Sequence, residues 1–127
     1  MQKIILVDAV NTFVVDSEIN REMQILLDSY PNRKIIVTNA NEEQKKTFGL
    51  ENLPYELFSL SHTPDKIDPV YFESLLEQYA IDAEQLIYFE HNLEAVKSAQ
   101  SVGITSYWYD SEKRDLVALK EFLDANL

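Results

Sequence analysis

The stretch from Lys3 to Thr12, KIILVDAVNT, decides how this chain folds. Lys3 to Val7 is a nearly unbroken apolar run of branched side chains, the pattern of a strand buried on both faces. Asp8 follows at once, a carboxylate at the end of an interior strand. The arrangement recurs along the chain. Lys34 to Thr38 (KIIVT) reads as a second buried strand, Tyr55 to Leu60 (YELFSL) as a weaker third, Leu86 to Phe89 (LIYF) as a fourth and Ile104 to Tyr109 (ITSYWY) as a fifth. Amphipathic stretches separate them. Ser17 to Tyr30 predicts a helix capped by Asp16 or Ser17, with Ile19, Met23, Leu26, Leu27 and Tyr30 on one face. Asn41 to Phe48 is a short polar helix stopped by Gly49. Asp68-Pro69 opens another, with Val70, Phe72, Leu75, Leu76 and Tyr79 inward. Asn92 to Val102, with Leu93, Val96 and Ala99 inward, and Glu112 to Leu123 complete the set. Five strand–helix units predict an α/β fold: a three-layer α/β/α sandwich around a five-stranded parallel sheet.

At 127 residues the chain fits one domain, residues 1–127, with a proper core. Acidic residues number 22 against 11 basic ones, a net charge of −11. That balance argues against nucleic acid or an anionic membrane as partner, since both need a positive face. Cysteine is absent, which excludes disulfides, thiol nucleophiles and Cys-based zinc sites. His62 and His91 are the only histidines, too few for a multi-histidine metal site. With only Gly49 and Gly103, neither a P-loop nor a dinucleotide fingerprint is present. No apolar stretch approaches the roughly 18 residues of a membrane span, and the N-terminus lacks a signal-peptide pattern, so the expected compartment is cytoplasmic.

Ligands of open α/β sheets bind at the carboxyl ends of the strands. Past the first strand stands Asp8; past the second, Thr38 and Asn39; after the third, Lys66 in TPDKIDP; past the fourth, Glu90, with Glu94 four residues on. Carboxylates, a hydroxyl and an ammonium converging from four strands suit a divalent cation and a phosphate. Each residue alone has a plainer account. Asp8 could be a turn residue, Thr38 a helix cap, Lys66 a solvated loop charge, and Glu90 with Glu94 an acidic pair favoured by the helix dipole. His62 and His91 read as exposed loop residues without a role.

The order of these residues resembles the haloacid dehalogenase superfamily over nearly the whole chain. That family's first motif, a strand followed by DxDxT, is matched by Asp8-Ala9-Val10-Asn11-Thr12. Its second, a strand ending in Thr or Ser, is matched by Thr38-Asn39; its lysine motif, often KPDP, by Lys66-Ile67-Asp68-Pro69; and its acidic motif, GDSxxD, by Phe89-Glu90-His91-Asn92-Leu93-Glu94. The resemblance implies Asp8 as nucleophile forming an aspartyl-phosphate, with Thr38, Asn39 and Lys66 on the phosphoryl oxygens. It implies Mg²⁺ held by Asp8, Glu90 and the backbone carbonyl of Val10, with Glu94 beside it or binding directly. It also implies the strand order: the first strand central, between the second and fourth, with the third and fifth at the edges.

The departures from the pattern bear on activity. The family's phosphatases carry a second Asp as general acid and base where this chain has Val10, and a positioned acid/base is worth about 10² to 10⁴ in rate. Glu90 is one methylene longer than the usual Asp, while Phe89 and His91 put bulk beside it. The gaps after the first and third strands are too short for a cap domain. The site is therefore expected to be open to solvent, or covered by a second subunit of an oligomer. Two function classes follow: a capless, Mg²⁺-dependent phosphohydrolase of the haloacid dehalogenase type, or a catalytically impaired relative, a pseudoenzyme that binds a phosphorylated ligand or a protein partner. A phosphorelay receiver would need its acceptor Asp at the end of the third strand, where Ser61-His62-Thr63-Pro64 stands instead.

Overall fold

The structure, a computed structural model, describes residues 2–127. Five parallel strands form one sheet in the order β5-β4-β1-β6-β7. They are β1 (Ile4–Asp8), β4 (Lys34–Thr38), β5 (Glu56–Ser59), β6 (Leu86–Glu90) and β7 (Thr105–Trp108). This is the order expected, with β1 central, and every residue of β1 and β6 is buried, as the unbroken apolar runs demand. Helices α1 (Arg21–Asp28) and α5 (Leu116–Asn126) cover one face through Met23, Leu27, Leu119 and Leu123, packed on Ile5, Val7, Ile36, Ile87 and Phe89. Helices α3 (Pro69–Tyr79) and α4 (Leu93–Ser101) cover the other, through Tyr71, Phe72, Leu75 and Ala99 against Leu6, Ile35, Val37 and Tyr88. The short α2 (Glu42–Thr47) is closed at its start by a reciprocal Asn41–Gln44 capping pair.

Four local expectations give way. The helix expected from Ser17 begins only at Arg21, with Asn20 as its cap accepting from the Met23 amide at 3.2 Å. The residues before it form a hairpin, β2 (Val14–Val15) against β3 (Glu18–Ile19). Asp16 and Ser17 are its two-residue turn, both left-handed at φ 51° and 63°. That turn rests on Gly49, whose φ is 73° and where a Cβ would lie 2.5 Å from the Ser17 carbonyl oxygen, so only glycine fits. The last helix starts at Leu116, not Glu112, because the Asp110 carboxylate holds the amides of Glu112 and Lys113 in a turn and Asp115 becomes the cap. In α3 Tyr71, not Val70, faces inward, and in α4 Leu93 lies half exposed. The segment between β1 and α1 holds only the hairpin, and residues 60–68, between β5 and α3, hold turns. Among the described residues, no helix is long and apolar enough to cross a membrane.

Candidate functional site

Successive side chains of a strand point to opposite faces, so the last residue of β1 and of β6 comes out on the α3/α4 side, where the sheet ends and a cavity opens. Asp8, Val10, Thr38, Asn39, Lys66, Glu90 and His91 all line that cavity. Three strand ends and one loop thus bring together residues far apart in sequence. The cavity holds about 170 Å³. Drug-sized sites run to roughly 300–1,000 Å³, so the space suits a phosphoryl group with its nearest substituent rather than a large cofactor.

Each wall has a structural cause. Lys66 is buried, and its main-chain amide is held by Asn39 Oδ1 at 2.8 Å. Asn39 therefore positions the lysine. The strand end at Thr38 is clamped by Tyr71, whose hydroxyl accepts from the Thr38 amide at 3.1 Å and shares its proton between the carbonyls of Thr38 (2.9 Å) and Phe58 (3.1 Å). The Thr38 hydroxyl in turn accepts from the Ala40 amide at 3.3 Å. Behind Glu90, two residues back on the same face of β6, Tyr88 donates its hydroxyl to Glu90 Oε1.

The charged groups form a closed set. Lys66 Nζ lies 2.7 Å from Asp8 Oδ1 and 2.6 Å from Glu90 Oε1. His91 Nδ1 donates to Asp8 Oδ2 and lies 3.2 Å from Glu90 Oε2. Thr12 Oγ1 donates to Asp8 Oδ2 at 2.7 Å, and the Asn92 amide to Glu90 Oε2 at 3.1 Å. Burial pushes the Asp8 carboxyl up, but the charge of Lys66 and the hydrogen bond from His91 outweigh it and hold the group well below the usual carboxylate range. Burial lowers Lys66, yet the charges of Asp8 and Glu90 more than reverse this and keep it an ammonium. Burial, then the neighbouring Asp8 charge, push Glu90 up against the pull of Lys66. The hydrogen bond to Asp8, then that to Glu90, push the His91 imidazole from 6.5 up to about 10.

Asp8, Thr38, Asn39, Lys66 and Glu90 are thus gathered as their positions at the strand ends suggested. Glu94 is not: it is exposed on α4 and faces Lys97 at 3.7 Å. The four-residue spacing from Glu90 carries no meaning here, because Glu90 belongs to a strand and α4 begins only at Leu93. Phe89 also differs from expectation. It points to the α1/α5 side, wholly buried beside Tyr109, and adds no bulk to the cavity. His91, read from sequence as a loop residue, is a member of the site, as are Thr12, Tyr71 and Tyr88. His62 lines the outer cavity, its Nε2 2.7 Å from Gln44 Oε1.

The fit of magnesium can be judged from these contacts. Magnesium asks for oxygen ligands in near-octahedral array. Asp8 and Glu90 supply two carboxylates and Val10 lines the same cavity, but each oxygen of the two carboxylates already has a partner. Among the described residues the buried side-chain atoms lacking a partner are Ser98 Oγ and Tyr109 Oη, both elsewhere. The third potential donor is the His91 nitrogen; with Asp8 and Glu90 it makes a group of ligand atoms within 4.8 Å of one another. A nitrogen donor, an ammonium between the carboxylates and no orphaned oxygen do not fit a magnesium ion.

No protein-family model matches the sequence, and no curated protein does. Solved structures match well. A haloacid dehalogenase family enzyme of Bacteroides thetaiotaomicron, crystallised as an aspartate-to-alanine mutant with magnesium and inorganic phosphate, is similar with a TM-score of 0.67 at 12% identity, over 85% of this chain and 94% of that one. The magnesium complex of the same enzyme gives 0.66 at 22% identity, over 86% of this chain and 60% of that one. The core domain of a Streptococcus pneumoniae protein assigned as a phosphoglycolate phosphatase gives 0.63 at 18% identity, over 98% and 96%. The fold of this chain is the haloacid dehalogenase fold.

Proposed function

We propose that this chain is a haloacid dehalogenase-type domain that receives a phosphorylated ligand at the carboxyl edge of its sheet, with Asp8 as phosphoryl acceptor. The observation that carries this is the convergence of Asp8, Thr38 and Lys66 on one small cavity of that fold. Asp8 is ionised, as a nucleophile must be. One carboxylate oxygen attacks phosphorus, the bond from phosphorus to the leaving oxygen breaks, and its electron pair stays on that oxygen. Thr38 and Lys66 face the phosphoryl oxygens and steady the negative charge. Water then attacks the aspartyl-phosphate, freeing inorganic phosphate and restoring Asp8.

Position 10 limits both halves. Val10 can neither protonate a leaving alkoxide nor draw a proton from water, at a cost of about 10² to 10⁴ in rate. The carboxylate of an acyl phosphate leaves without an acid. Incubation with acetyl phosphate should therefore label Asp8, detected by intact-mass spectrometry, and the label should persist for want of a base. Hydrolysis of p-nitrophenyl phosphate should be weak or undetectable, and Val10→Asp should raise it. An ordinary phosphatase turnover dependent on Asp8 in the unmodified protein would refute this account of position 10. Absence of any label would favour the second reading, a non-catalytic domain that holds a phosphorylated ligand or a protein partner. What supports that reading is that both Asp8 oxygens are already engaged, Oδ1 by Lys66 and Oδ2 by Thr12 and His91, which damps a nucleophile.

A further inference from the structure

Two carboxylates that share a divalent cation converge one oxygen each on the ion, at about 2.0–2.1 Å for magnesium. Asp8 and Glu90 converge in this way twice. On one side Oδ1 and Oε1 meet Lys66 Nζ, at 2.7 and 2.6 Å. On the other Oδ2 and Oε2 meet His91 Nδ1, in direct contact with the first and 3.2 Å from the second. His91 lines the cavity, and its ring occupies the second convergence. The ring is not a loose rotamer. Its residue is fixed on both sides of the main chain, where the amide donates to Asp8 Oδ2 at 3.3 Å and the carbonyl accepts from Trp108 Nε1 at 2.8 Å.

We propose that the His91 ring stands in the place of a divalent cation between Asp8 and Glu90, so that this pocket needs no metal ion to receive a phosphate-type anion. The ligand class rests on the function proposed above; the occupancy by the ring does not. A ring carried by the protein differs from magnesium in two ways. It cannot be removed by a chelator, and it presents no open coordination position to the anion.

Two titrations separate the claims. The first follows Mn²⁺ by electron paramagnetic resonance, as a spectroscopic probe for magnesium. The unmodified protein should show no saturable site, while His91→Ser, which leaves both carboxylates and removes the ring, should bind Mn²⁺ at least about tenfold more tightly. Saturable Mn²⁺ binding by the unmodified protein that Asp8→Asn abolishes would overturn the proposal, and this arm needs no variant with the ring removed. The second titration follows inorganic phosphate by the NMR signals of the His91 ring. The expected shifts are equal in chelator and in excess Mg²⁺; shifts that appear only with Mg²⁺ would overturn it. If phosphate shifts nothing under either condition, the phosphoryl-site function fails, while the Mn²⁺ titration still decides what occupies the gap.

Discussion

The two walls of the cavity are built on opposite plans. At the ends of β1 and β6 stand Asp8, Glu90 and His91, met by Lys66 from the segment after β5, and these charged groups bond to one another. At the end of β4, Thr38 and Asn39 are neutral: Asn39 holds the Lys66 main chain, and Tyr71 holds the strand end that carries Thr38. The contrast teaches that one wall supplies the electrostatics of the site and the other its shape. Loss of a charge should leave a buried counter-charge uncompensated, whereas loss of a shaping contact should cost a hydrogen bond.

Lys66→Met breaks the charged wall most severely. It leaves two buried carboxylates facing a single imidazolium, and removal of one partner from a buried ion pair costs about 3–5 kcal/mol. Urea unfolding followed by circular dichroism should show a loss of this size; a change within that of an exposed pair, about 1 kcal/mol or less, would mean the quartet is not formed. Tyr71→Phe tests the shaping wall. The Thr38 amide loses its partner while buried, at about 1–3 kcal/mol, and the same unfolding measurement should place this variant between Lys66→Met and the unmodified protein. A third test sharpens the comparison through pH. The His91 imidazole rises from 6.5 to about 10 on folding, so the stability it contributes is complete below 6.5 and is lost as pH climbs through about 10. Stability of the unmodified protein should fall across that window, and His91→Gln should flatten the fall. Parallel curves for the two proteins would show that the ring carries no charge in the fold.

The charged wall was also the harder one to read. The strands announce themselves through branched apolar runs, and Asp8, Thr38 and Glu90 follow from standing at their ends. Glu94 misled because it matched the acidic motif by position, whereas on α4 its side chain turns to solvent towards Lys97. Phe89 misled because it sits beside Glu90 in sequence, although the alternation of a strand sends neighbours to opposite faces. His91 lay beyond a strand end, the rule that found Asp8, but a histidine after a carboxylate looks like any loop residue until Asp8 arrives from β1. The hairpin escaped notice because Asp and Ser serve equally as helix caps and as left-handed turn residues. Two residues per strand give no periodicity to detect.

The closed quartet also bears on how the chain finds its sheet. Val7 pairs with Phe89 across β1 and β6, which sets Asp8 against Glu90. A slip of one residue between these strands would turn one carboxylate into the apolar layer beneath α1 and α5, away from Lys66 and His91. Continuous apolar runs such as IILV and LIYF are poor at forbidding such slips, since nearly every register buries them. Here the polar residues at the strand ends carry that burden, and the four groups that define the site double as the alignment marks of the central strands.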